Sequence, residues 1–433
     1  MKNLLAIVGD YYPHPSSNTN CFDPLLKALE DDGWHVDIVT LKKLVELPNY
    51  EKESNSRDIW RIDDPRSMNT ILMNQLNNIP APKYLKFINK LFAIASKGLF
   101  YIHYCVGKAD KRYAGLSKKD TVSKCLQLHN EKHYDVVLSV SHPMICHEIA
   151  QKFLNQLSSN KPKWILYEFD PYCYNKHLYG DNCYKKLAPK QHDLFKDCDN
   201  IFLIPELYDF YKQTPFHIYQ DKMKSIGFPN MKPVTFDETN VSRIPLQAGK
   251  VNCVFGGALG LKIRNPFYAM QTFSICNSEK IHWCIMTGYD LKYITNQIEN
   301  CDKTTTIYSI QNRDTSYDVM LRADILVNIG NSVTFQTPGK IFEYMAMGKP
   351  IIHFQKTEDD PCLKYFANYP MVLIIDEREN TPEKHAEMIQ QFCDKYKGKS
   401  LCFEEVKKHI PQYTSENVSK KFVSIVNHLV NRG

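Results

Sequence analysis

Continuous aliphatic runs alternate with longer amphipathic stretches along most of this chain, a pattern that predicts parallel sheets buried beneath helices. The first run covers residues 4–9, a polar loop covers 10–20, and a helical pattern follows over 23–32. Gly33 ends that helix and a second strand is predicted over 35–40. Strand, loop, helix and strand within about 40 residues make a βαβ unit. Further strands are expected at 135–140, 163–169, 200–204 and 223–226. An aperiodic stretch rich in turn residues, 227–245, reads as a linker.

The pattern then restarts. Strands are expected at 251–255, 281–287, 324–329, 350–354 and 371–375, with helices at 265–276, 291–300, 316–322, 338–347, 382–396 and 415–430. The fold class this predicts is α/β, with two Rossmann-like doubly wound domains. The first spans 1–228 with a mostly helical, basic insertion at roughly 42–130, the second spans 246–412, and a last helix, 413–433, is placed to cross back to the first domain.

A length of 433 residues suits about two or three domains at roughly 150 residues each. Hydrophobic residues at 43% against 24% charged exclude a disordered chain. The formal charge of +6 is too mild to argue for nucleic acid. Its source is local: Lys83, Lys86, Lys90, Lys97, Lys108, Lys111, Arg112, Lys118 and Lys119 stand against Asp110 alone, interleaved with Tyr84, Phe87, Phe92, Phe100, Tyr101 and Tyr104. Such a segment either lies against anionic lipid or is a helix pair with solvated lysines. Fourteen cysteines are scattered singly with no C-x-x-C pair, which predicts a reduced chain without a zinc site. The N-terminal apolar run is too short for a signal peptide, and no uninterrupted apolar run reaches the roughly 18 residues of a membrane span.

Two stretches of the second half carry candidate chemistry. In the first, strand 324–329 leads through Gly330 and a polar loop to Thr337, placed to cap a helix beginning at Pro338. A helix N-terminus there favours phosphate; Gly339 permits close backbone approach, Lys340 adds charge, and Glu343, one turn on, suits ribose hydroxyls. A local Lys340–Glu343 surface pair is the competing reading. In the second, Gly256 and Gly257 follow a strand, with Lys262 and Arg264 nearby, as either a diphosphate cradle or a plain tight turn. The glycines do not spell G-x-G-x-x-G and no acid ends the next strand, which argues against a nicotinamide dinucleotide. In the first half, three loops follow strands: Asp10, Tyr11, Ser16 and Ser17 in one, His142 in the next, Asp170 in the third. Asp170, held at the sheet's rim by Pro171, is the candidate acid or base, against an ordinary Asp-Pro turn; His142 is a weaker candidate beside a plain helix start.

Together these residues resemble a known family. Val8-Gly9-Asp10-Tyr11-Tyr12-Pro13, Gly33-Trp34-His35-Val36-Asp37-Ile38-Val39-Thr40, Phe255-Gly256-Gly257 with Arg264-Asn265-Pro266, and Thr337-Pro338-Gly339-Lys340-Ile341-Phe342-Glu343-Tyr344-Met345-Ala346-Met347-Gly348-Lys349-Pro350 are similar, in order, to GT-B glycosyltransferases of the retaining family-4 type found in bacterial surface-polysaccharide pathways. The resemblance implies two domains facing a central cleft, a nucleotide-sugar donor on the second and an acceptor-binding loop on the first. It implies that Lys340 and Arg264, with Lys262, neutralise the leaving diphosphate, and that Glu343 is the ribose-binding glutamate of an E-x7-E motif. Phe335 stands where that motif has its first glutamate, a departure at the donor sugar. It further implies metal-independent transfer without a cofactor, a glycan or polyprenyl-linked acceptor, a cytoplasmic site at the inner face of the membrane with peripheral contact to anionic lipid, and no nucleic acid partner. A nucleotide-sugar epimerase and a non-catalytic scaffold of the same fold are the alternatives.

Overall fold

The structure is a computed structural model that describes residues 2–13, 15–42, 44, 46–63, 91 and 118–431. The chain forms two compact units, Met1–Gly227 with Ser419–Gly433, and Phe228–Val418.

The first unit contains β1 (Lys2–Ile7), β2 (Trp34–Lys42), β3 (Tyr50–Lys52), β4 (Arg57–Asp63), β5 (Val136–Val140), β6 (Lys163–Glu168), β7 (Asn200–Leu203) and β8 (Met223–Ser225). They form one sheet ordered β3-β4-β2-β1-β5-β6-β7-β8, parallel throughout except for the β3–β4 pair. Leu4, Leu5, Ala6 and Ile7 on β1 are fully buried, as a sheet covered on both faces requires. The helix Ser17–Asp31 starts six residues earlier than its pattern suggested, because Ser16 caps it in a reciprocal box with Thr19 and Pro24 is carried inside the helix. Ser419 onward belongs to this unit: Lys2 Nζ and Trp34 Nε1 donate to Asn427 Oδ1 at 3.1 and 3.2 Å, and Phe422 packs edge-on against Phe202.

The start of the expected helical insertion is instead sheet, because β3 and β4 extend it beyond β2. Two buried arginines hide this strand in the sequence. Arg57 donates to Glu30, to Asp23 at 2.6 Å and to the Tyr11 hydroxyl at 2.6 Å, so a charge that would be costly to bury alone is paired inside the fold. The basic and aromatic residues expected at 83–117 lie outside the described residues; Lys118 and Lys119 open the helix Lys118–Lys132.

The second unit contains β9 (Val251–Gly256), β10 (Ile281–Met286), β11 (Thr305–Tyr308), β12 (Ile325–Ile329), β13 (Ile351–Gln355) and β14 (Val372–Asp376), all parallel, in the order β11-β10-β9-β12-β13-β14. The helix expected over 291–300 shrinks to Lys292–Thr295, since a further short helix, Cys301–Thr304, must feed the unforeseen strand β11. Strand order reverses between β9 and β12 here, and between β1 and β5 in the first unit. Among the described residues no helix is long and apolar enough to cross a membrane.

Candidate functional site

Open parallel α/β sheets bind ligands outside the carboxyl ends of their strands, where the strand order reverses. In the second unit that point lies between β9 and β12, and the loops leaving these strands are residues 257–266 and 330–339. They are the two stretches in which the sequence placed a diphosphate cradle.

The fold stitches them together. Arg264 Nε donates to Asn331 Oδ1 at 3.0 Å, and Asn331 Nδ2 donates onward to the Gln336 carbonyl at 2.8 Å. The Ser332 N–H donates to the Ile263 carbonyl at 2.7 Å, and the Ser332 hydroxyl to the Lys262 carbonyl at 2.9 Å. Gly260 and Arg264 exchange backbone hydrogen bonds of 3.2 and 2.8 Å, which closes the first loop into a sharp turn. Tyr344, buried on the helix Lys340–Ala346, accepts from the Gly256 N–H at 3.2 Å and reaches the Gly256 carbonyl at 3.4 Å, fixing that helix to the end of β9.

Arg264 has only neutral partners, Asn331 and the Ala258 carbonyl at 3.2 Å, and among the described residues it forms no ion pair. Burial draws its pKa below the usual guanidinium value. Asp360, buried below the loops, acts on this cation only through space and forms no ion pair with it, so a phosphate would add the paired, charge-assisted hydrogen bonds that the guanidinium lacks. Lys262 is exposed on the same loop. Lys340 forms the local pair left open by the sequence, with its ammonium 2.8 Å from Glu343 Oε2 and 5.4 Å from the Tyr317 ring centroid. Tyr317, unforeseen from the sequence, carries Arg313 at 4.9 Å, and burial with Glu343 nearby pushes its hydroxyl up to about 12.

Thr337 is not the helix cap. The helix begins at Lys340 with Gly339 at the N-cap position and no side-chain cap. The chain enters through a tighter turn in which the Ile341 and Phe342 N–H groups donate to the Pro338 and Gly339 carbonyls at 3.2 and 3.3 Å, leaving the buried Thr337 hydroxyl without a hydrogen bond among the described residues. Gly330 is required by packing, since a Cβ there would overlap the Asp360 carboxylate. Gly257 meets only the Phe255 ring, at ordinary contact distance.

In the first unit the reversal lies between β1 and β5. The loops after them touch at Gly9, where a Cβ would overlap the Pro143 ring, and Asn18 Nδ2 donates to the Ser141 carbonyl at 2.9 Å. Folding consumes part of the expected acceptor loop. Tyr11 turns inward, its hydroxyl bonded to Arg57 and, at 2.7 Å, to Asp23, while Ser16 caps the helix that Ser17 begins. Asp10 is buried, with its carbonyl accepting from the Thr19 hydroxyl at 2.8 Å. His142 follows β5 with its ring 6.3 Å from that of Tyr179, and Asp170 is half-buried just past β6.

Glu168, at the end of β6, was missed. It is fully buried, and burial pushes its carboxyl up to about 8, opposed by hydrogen bonds from Tyr211 and Gln191 and reinforced by Asp170. Tyr211 donates to it at 2.8 Å and Gln191 at 3.1 Å, while Gln191 Oε1 accepts from the Cys173 N–H at 3.1 Å. Glu168 thus anchors the loop that carries Asp170; its signal was an acid closing an otherwise apolar strand. Asn331 and Tyr344 were also overlooked as the residues joining the second unit's loops.

No protein-family model matches the sequence, and no curated protein does. Solved structures do match over the whole chain. Sucrose-phosphate synthase from Thermosynechococcus elongatus matches with a TM-score of 0.61 at 11% identity, covering 100% of both chains. The α,α-trehalose 6-phosphate synthase from Burkholderia multivorans gives 0.60 at 10%, covering 100% of this chain and 98% of the other, and a glycosyltransferase from Rickettsia africae ESF-5 gives 0.58 at 12%, covering 100% and 99%. The fold is that of the GT-B glycosyltransferases. A GT-B chain consists of two parallel-sheet units, and here each unit has its own reversal point with loops at the carboxyl edge.

Proposed function

We propose that this protein is a glycosyltransferase that moves a sugar from a nucleotide-diphosphate donor to a glycan or lipid-linked glycan in surface-polysaccharide synthesis. The observation that carries the reading is the switch point of the second unit, where Arg264, a half-buried cation that forms no ion pair among the described residues, is held by Asn331 between two loops. In this reading the second unit binds the donor. Arg264, with Lys340 and Lys262, faces the diphosphate, whose charge grows as the anomeric carbon–oxygen bond breaks and the nucleoside diphosphate leaves with the bonding electrons. Glu343 accepts from the ribose hydroxyls, which divides Lys340's partnership between carboxylate and phosphate. The first unit binds the acceptor, with Asp170 orienting the attacking hydroxyl and taking its proton, and His142, on the loop after β5, as a second polar group of that unit. The basic run of residues 83–119 attaches the protein peripherally to anionic lipid at the cytoplasmic face.

The test is release of nucleoside diphosphate from a panel of nucleotide sugars, with and without membrane-extracted lipid-linked glycans. Acceptor-dependent release that disappears in Arg264→Ala supports transfer. Formation of a new nucleotide sugar from donor alone contradicts it.

A further inference from the structure

Beneath the reversal point of the second unit lies a polar cluster that sugar transfer does not use. β12 contributes Asn328, β13 contributes His353, and the turn beyond β13 contributes Asp360 and Cys362; all four are at most 3% exposed. His353 Nε2 and Asp360 Oδ2 face each other at 3.3 Å, a contact at the long limit of a hydrogen bond, and among the described residues neither atom has another hydrogen-bond partner. Cys362 Sγ completes a trio of donor atoms lying within 4.8 Å of one another. Buried polar atoms are almost always satisfied, and one shared cation would satisfy both orphans at once.

The geometry points to a structural site for a divalent transition metal, zinc by its donor set, held by His353 Nε2, Asp360 Oδ2 and Cys362 Sγ. A mix of imidazole, carboxylate and thiolate suits zinc, whereas magnesium and calcium take oxygen donors. Charge also balances: one carboxylate and one thiolate neutralise a doubly charged ion, so the occupied cluster is electrically neutral in the core. Binding releases one proton to solvent, from the Cys362 thiol. The Asn328 amide, 2.8 Å from His353 Nδ1 and 3.9 Å from Cys362 Sγ, touches two of the three ligands and is the orienting partner. With its oxygen turned to the ring it accepts the Nδ1 proton and fixes the tautomer that presents Nε2 to the metal.

The other buried cluster of this kind shows the same logic completed by the chain itself. His35, Asp37 and Asp58 also bring their donor atoms within 4.8 Å, and there the Lys132 ammonium is the cation, 2.8 Å from Asp37 and 2.7 Å from Asp58. At His353 the described residues place no cation in an ion pair with Asp360 other than the ring itself; Arg264 acts on Asp360 and Cys362 only through space. The metal would tie the turn after β13 back to β13 beside Gly330, and so brace the loop that carries Asn331 and, through Asn331, Arg264 on the neighbouring loop. This inference is independent of the proposed activity. It also revises the expectation of a chain without zinc, because a spacing of His353-x6-Asp360-x-Cys362 matches no C-x-x-C rule.

The test uses the full-length, untagged chain purified without chelator, reconstituted with zinc chloride, freed of excess ion and analysed by inductively coupled plasma mass spectrometry. About one zinc per chain is expected. Cobalt substitution should add a thiolate-to-metal absorption band, and both signals should be lost in Cys362→Ser and in Asp360→Asn but kept in a control at the exposed Cys402, Cys402→Ser. Chelator should lower the melting temperature of the wild-type protein. Wild-type protein that holds less than about a tenth of an equivalent of zinc after reconstitution overturns the proposal, as does Cys362→Ser binding as much zinc as the wild type.

Discussion

Arg264 and Glu168 are two ionisable side chains treated in opposite ways by their surroundings. Arg264 hydrogen-bonds only neutral partners among the described residues, so removing it breaks no ion pair. Arg264→Ala should therefore fold normally and weaken nucleoside diphosphate binding by about 10- to 100-fold, the worth of a charge-assisted hydrogen-bond set. A melting temperature close to wild type with unchanged affinity would remove Arg264 from the site. Glu168 is instead buried with its carboxyl pushed up to about 8 from an ordinary 4.5. Between those values the folded chain holds a proton that the unfolded chain has released, so this stabilisation is complete below pH 4.5 and is lost as pH rises through 8. Glu168→Gln should flatten the fall in melting temperature across that window. An identical pH profile in the variant would show that Glu168 does not titrate there.

At the scale of elements, the helix Lys340–Ala346 depends on how it ends. Gly348 has φ +65°, and a Cβ there would overlap the Leu401 backbone, whose N–H donates to the Gly348 carbonyl at 2.9 Å. Gly348→Ala should destabilise the second unit by about 1–3 kcal/mol or more, through left-handed backbone strain and overpacking together; a denaturation midpoint equal to wild type would contradict this. That stop was legible in the sequence, because a glycine followed by Lys349 and Pro350 marks a helix end by local chemistry alone. The start was not, because Thr337-Pro338 reads equally well as a cap or as the tighter turn the chain adopts, and packing decides between them. β4 escaped for a related reason. Arg57 and Arg61 look solvent-facing until Glu30 and Asp23, from a helix far back in the sequence, are placed beside Arg57. The central strands β1, β5 and β12 needed no such partner, since runs of Leu, Ile and Val fix them directly, and β9 is marked by Val251, Val254 and Phe255.

For the whole molecule, the doubling of the α/β pattern was readable from periodicity, and the GT-B fold agrees with it. The reversal points were not readable, because strand order depends on long-range pairing. It is that order which brings Gly256–Arg264 and Gly330–Lys340 to one edge. Basic residues concentrated at 83–119 lead us to expect partial co-sedimentation with anionic vesicles at low salt, lost as salt screens the attraction. Equal recovery in solution with neutral and anionic vesicles would leave the lysines as a solvated face. The central claim, that the second unit is built around a nucleoside diphosphate, is tested most directly by titration calorimetry of the intact protein with UDP and GDP. The account predicts saturable one-to-one binding of at least one of them, abolished or strongly weakened in Arg264→Ala. No heat of binding with either would contradict it.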